Sequence, residues 1–262
     1  MEPFEYIVCH INLEITDNLR DIFKRWRNLC DFFVDIYSIE RYQGEEYSTN
    51  DLALSVFNPL GALIIYVSDH YPEAHIIHEM LHAMLRIEGY PQYKLNPKLL
   101  YLPPKIFLSN KYLIDPLKKI SDELTNNIDH ILINKLMEKY DLDFRKLRDI
   151  QYQYEYSHLE KERKYDNIAE KVMDHIIMAI GTLEYDSSLD EIHRCELLDI
   201  LKQKHIESYK YRSEFAKIIE EYPHSNPNEY KILLIKILEK IKNIFYNEIE
   251  EYKGLLDLII VE

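Results

Sequence analysis

The sequence predicts an α+β protein: a small mixed or antiparallel sheet near the N-terminus, packed on a helix that carries an HExxH string, followed by a mainly α-helical C-terminal half. Three observations predict it. Runs rich in Ile, Val and Tyr lie before residue 70, whereas beyond residue 115 apolar residues recur every three or four positions. Five glycines in 262 residues is far below the usual share of about 7%, and a chain poor in glycine suits long helices, where each glycine costs about 1 kcal/mol relative to alanine. With 47% hydrophobic and 30% charged residues, the chain can bury a sizeable core.

The elements follow in order. Phe4 to Ile15 reads as a strand, Asp17 to Cys30 as an amphipathic helix, and Phe32 to Ile39 as a second strand. After a polar loop around Gly44, Leu52 to Phe57 and Ala62 to Val67 read as two strands joined by the turn Asn58-Pro59-Leu60-Gly61. Tyr71-Pro72-Glu73 opens a helix, with proline and an acid in its first turn, and Gly89-Tyr90-Pro91 stops it. Residues 91 to 116 hold five prolines and no sustained period, so they read as a loop and a candidate cover. Asp115-Pro116 then predicts a helix start, with the helix running to about Tyr140. From Leu147 to Tyr252 the pattern is helical, with breaks near Gly181 to Ser188 and Pro223 to Pro227. The last helix carries an apolar stripe of Leu234, Leu238, Ile241, Phe245, Ile249 and Tyr252, read as core. The expected division is a domain over 1–145 and a helical region over 146–262.

Charge and composition exclude several functions. Forty-six acidic against 32 basic residues give a formal charge of −14, and the basic residues do not cluster, so a nucleic-acid partner is not expected. Neither GxGxxG nor GxxxxGK[ST] occurs, which removes the usual signatures of nucleotide binding. Cys9, Cys30 and Cys195 form no CxxC pair and fit a reducing compartment. No apolar run approaches the roughly 20 residues a bilayer requires. A cytoplasmic protein without a membrane partner is the expectation.

His78-Glu79-Met80-Leu81-His82 is the string that carries chemistry. On a helix, residues four apart share a face with Cβ atoms about 6 Å apart, so two imidazoles can hold one tetrahedral Zn²⁺. Glu79 stands about 100° round from His78, near enough to act as general base on a water at the metal without ligating it. Projected at about 100° per residue, His75, His78, Glu79, His82 and Arg86 fall on one narrow arc, and Ile76, Ile77, Met80, Leu81, Ala83, Met84, Leu85 and Ile87 fill most of the rest. A helix so wrapped in hydrophobes is buried, and its ionisable stripe then needs partners, which a metal and its surroundings supply. His75 reads as packing or support. Asp69, His70 and Tyr90 are candidate cleft residues with no spacing evidence.

The string His78-Glu79-Met80-Leu81-His82-Ala83-Met84-Leu85 resembles the zincin metallopeptidases, and in particular the compact IrrE/ImmA-like regulatory proteases and the SprT-like proteases. The resemblance covers roughly residues 52 to 140. Leu85 and Glu88 stand where metzincins carry the Gly and third His of their longer motif, and no HGxxF-like string follows, so those two groups fit less well. The resemblance implies that the strand before the helix, Ala62 to Val67, is an edge that pairs with an extended substrate.

A catalytic zinc needs a third protein ligand and an open position. In the helix after Asp115-Pro116, Glu123, Asn127, His130 and Asn134 form a polar stripe beside Ile120, Leu124, Ile128 and Ile131. Glu123 is the first choice, because a glutamate from the following helix is the gluzincin arrangement that the resemblance implies. His130 is the alternative, giving a three-histidine site; Glu170 and His175 are remoter options. The expected activity is zinc-dependent hydrolysis of a peptide bond in a peptide or protein substrate. The rival expectation is a zincin-fold metal sensor or interaction module without robust proteolysis, its C-terminal half binding a helical partner or a second copy. The resemblance to IrrE/ImmA-like proteins alone implies a regulatory role.

Overall fold

A computed structural model describes residues 6–41, 53–58, 62–68, 71–96, 111–140, 142, 144–222, 224–249 and 255–262. Alternation along β2 (Phe33–Ser38) and β4 (Ala62–Val67) turns Val34, Ile36, Leu63, Ile65 and Val67 to the core, where none exposes any surface. The two strands are parallel, with Val34 opposite Leu63 and Ile36 opposite Ile65. β1 (Ile7–Cys9) runs parallel to β2 on one flank, and β3 (Ala53–Asn58) runs antiparallel to β4 on the other. The sheet is therefore mixed, in the order β1-β2-β4-β3.

Two expectations change here. β4 is an interior strand, because β3 returns antiparallel along its flank; among the described residues β3 is the edge. The first strand is only three residues long. Its last link to β2 runs from the His10 amide to the Ile36 carbonyl, and the stretch from Ile11 to Thr16, which forms no strand, leads into the first helix.

That helix, α1 (Asp17–Leu29), begins at Thr16, whose hydroxyl accepts from the Leu19 amide. It buries Leu19, Ile22, Phe23 and Trp26, and the Trp26 indole donates to the Phe32 carbonyl at 2.9 Å. α2 (Pro72–Ile87) packs against α1, β3 and β4 and buries Ala74, Ile76, Ile77, Met80, Leu81, Ala83, Met84 and Leu85. Its entry is pinned at Glu73, which accepts from Thr16 and Asn18. Tyr71, just ahead, takes the left-handed conformation with φ 56°, a cost of about 1–2 kcal/mol for a residue with a Cβ.

The chain divides into two compact units, residues 1–89 with 135–147 and residues 90–134 with 148–262. The second holds β5 (Tyr93–Leu95), most of α3 (Lys111–Met137) and α4 (Phe144–Glu160), then α5 (Ile168–Gly181), α6 (Glu191–Lys204), α7 (Ile206–Glu221), α8 (Pro227–Glu248) and β6 (Ile259–Val261). Leu234, Leu238, Ile241 and Phe245 of the predicted stripe are buried within α8, and Ile249 just beyond it; Tyr252 lies outside the described residues. Two further corrections fall at 91–116. Tyr93–Leu95 is a strand, paired antiparallel with β6 near the far end of the sequence. α3 starts at Lys111 and runs through Pro116 instead of starting there, because a proline early in a long helix forfeits one amide donor without ending it. Residues 97–110, and the predicted turn at 59–61, lie outside the described residues.

Candidate metal centre

The HExxH string lies in the middle of α2, and its two histidines stand one turn apart as the spacing requires. Their Nε2 atoms are 3.2 Å apart, with the rings steeply inclined at 73°. Two nitrogens each about 2.0–2.1 Å from a tetrahedral zinc stand about 3.3–3.4 Å apart, so the pair has the bite of a two-imidazole site. Glu79, between them in sequence, accepts a hydrogen bond at Oε2 from the Ser55 hydroxyl at 2.7 Å. Ser55 belongs to β3, so the sheet edge is tied directly to the carboxylate of the motif.

His78 and His82 are both half-buried. Two imidazoles at this spacing supply two of the ligands of a catalytic zinc, which a third protein ligand and an open position complete. Within the second unit, His130 Nδ1 is 2.8 Å from Glu184 Oε2, and Glu184 Oε1 accepts from Gln151 Nε2 at 3.0 Å.

Glu123 lines a cavity of about 1010 Å³ within the second unit, with Asn127, Glu155, Arg163, Asp174 and Glu184. The polar stripe of α3 thus has its earlier members on the cavity wall, and His130, further along, meets Glu184. In the same wall Glu155 is pushed up to about 7 by burial and by the charge of Glu184, while the Tyr185 hydroxyl donates to it.

The remaining candidates have other work. Glu170 caps α5, accepting from the Asp166 amide while its own amide donates to Asn167. His175 Nδ1 meets the Ser208 hydroxyl at 2.9 Å between α5 and α7, and burial holds it below the usual histidine range. Tyr90 donates to the Ser225 carbonyl and stacks edge-on with Tyr230. His75 sits on the first turn of α2. Asp69 and His70 lie outside the described residues. Ser55, Gln151 and Glu184 carry no motif, and their contacts join residues 24 to 54 positions apart, so no local pattern announces them.

No protein-family model, curated protein or solved structure matches this chain. Among the described residues no helix is long and apolar enough to cross a membrane.

Proposed function

We propose that the protein is a zinc-dependent peptide-bond hydrolase, with His78 and His82 as two of the metal ligands and Glu79 as general base. The observation that carries the reading is a pair of imidazoles with the bite of a zinc site, 3.2 Å apart at Nε2, beside an HExxH carboxylate held by Ser55. Bound Zn²⁺ would supply Lewis acidity to a water and to the scissile carbonyl. Glu79 then takes the water's proton on its carboxylate and delivers it to the leaving amine, while Ser55 orients that carboxylate by holding Oε2. β3 supports a peptide as substrate: among the described residues it is an edge strand, it carries Ser55, and its outward backbone groups can pair with an extended chain. The free cysteines Cys9, Cys30 and Cys195 support a reducing compartment, the cytoplasm, as its location.

The test combines metal analysis with turnover. After zinc loading and desalting, the wild-type protein is expected to retain one equivalent and to cleave an unstructured protein or peptide library. Glu79→Gln is expected to retain that equivalent and lose turnover by about 10²-fold or more, whereas His82→Ala loses the metal. Less than a tenth of an equivalent in the wild type would overturn the site. One equivalent without cleavage would leave the rival reading, a metal sensor or interaction module.

A further inference from the structure

We infer that Phe57, Phe32 and Trp26 form a side-chain subsite for an extended peptide laid along β3, taking a large apolar residue two positions from the scissile bond. The inference deepens the hydrolase reading above and rests on it, and every residue it uses belongs to the first unit.

The placement follows from strand alternation. Residues two apart on a strand point to one face and stand about 7 Å apart. Ser55 and Phe57 are such a pair on β3, and both turn to the helical side of the sheet. Ser55 donates to Glu79 of α2, while Phe57 stacks on Trp26 of α1 with ring centroids 6.4 Å apart and planes inclined by 24°. A peptide paired along the outer edge of β3 has the same repeat, and its residue opposite Phe57 points to the face that Phe57 points to. With the scissile carbonyl at the level of Ser55 and Glu79, the residue two positions on meets the aromatic rings.

The rings form a fixed surface. Trp26 is the floor, only 2% exposed, and its indole N–H is spent on the Phe32 carbonyl at 2.9 Å, which ties Phe32 to the end of α1. The Phe32 ring meets Phe57 edge-on, with centroids 6.4 Å apart and planes at 73°. Despite these contacts Phe57 is 41% and Phe32 39% exposed, and Leu29, three residues after Trp26 on α1, is 37% exposed. Rings packed on a buried indole and still open to water, beside a strand edge, mark a binding surface.

The chemistry of the surface selects its occupant. Neither phenylalanine has a polar side-chain atom, and the only indole donor is already engaged. A charged or amide side chain brought there loses water without gaining a partner, whereas a phenylalanine, tyrosine or leucine buries apolar area against three rings. Continuity with Ser55, which holds the carboxylate of the motif, favours a substrate side chain over any other occupant.

The test uses the full chain loaded with zinc and peptides that differ only in carrying Phe or Ala at one position, which is moved along the peptide while mass spectrometry locates the cut. Phe two residues from the cut is expected to raise kcat/KM about 10-fold or more over Ala, and Phe57→Ala to bring the two within about threefold, with Phe57→Leu in between. Trp26 is the one tryptophan of the chain, so its emission reads the patch directly. In zinc-loaded Glu79→Gln, the Phe peptide is expected to change that emission saturably and the Ala peptide to leave it unchanged. Equal kcat/KM for both peptides in the wild type overturns the inference while the hydrolase reading stands. If the wild type cleaves neither peptide, the hydrolase reading falls and the emission titration decides the patch alone: a response confined to the Phe peptide supports it, and no response overturns it. The same titration decides should Phe57→Ala fail to fold. A concentration-dependent dimer that Phe57→Ala abolishes, with peptide preference unchanged, would give the patch to a second copy and overturn the inference.

Discussion

At the scale of single residues, the decisive fact is that Glu79 has a partner from another element. The Ser55 hydroxyl holds one carboxylate oxygen at 2.7 Å, and a base that must meet a proton in one place gains from losing rotational freedom. Ser55→Ala is expected to reduce kcat about 10-fold with one equivalent of zinc still bound, and Ser55→Thr to recover most of it; equal kcat in wild type and alanine variant, measured on the same peptide, would remove Ser55 from the mechanism. The two motif histidines were legible because they share a helix, where spacing alone fixes a common face. For a third ligand the sequence offers Glu123 and His130, both on the polar stripe of α3; periodicity puts them on one side of that helix and does not encode what that side meets. Glu184 and Gln151 left no trace at all, since a contact across 54 or 33 positions has no local signature.

At the scale of elements, boundaries were clearest where capping chemistry marks them. Tyr71-Pro72-Glu73 and Gly89 bracket α2, and Thr16 opens α1. Thr16 does two things, accepting from the Leu19 amide and donating to Glu73, so the starts of α1 and α2 are joined through one side chain. Thr16→Ala is expected to lower the unfolding free energy by about 1–2 kcal/mol in urea titration, and Thr16→Ser to stay close to wild type. The elements that escaped notice were those without a period of their own. Tyr93–Leu95 has three residues, and its partner Ile259–Val261 comes from the other end of the second unit. The proline-rich segment from 91 to 116 looked structureless because prolines mask both a short strand and the early turns of a helix.

For the molecule as a whole, the acidic balance acts through buried groups as well as surface ones. Glu155 is pushed up to about 7, first by burial and then by Glu184, against an ordinary value of 4.5 in the unfolded chain. Between those values the folded protein holds a proton that the unfolded chain releases, so this contribution is complete below pH 4.5 and is lost as pH rises through about 7. Glu155→Gln, which can still accept from Tyr185, is expected to match the wild type near pH 4.5 and to exceed it in stability at pH 8. Urea titrations of zinc-free protein at the two pH values read the difference, and equal slopes against pH would show Glu155 to be solvated.

The mixed sheet has one more consequence. β3 presents its outer backbone groups without a strand beside it among the described residues, and Val56 and Phe57 are each 41% exposed on it. A strand that can accept a peptide in any register also accepts another copy of itself. The feature that would let this protein grip extended chains is therefore the same one that would favour pairing between copies, so a better grip would work against solubility.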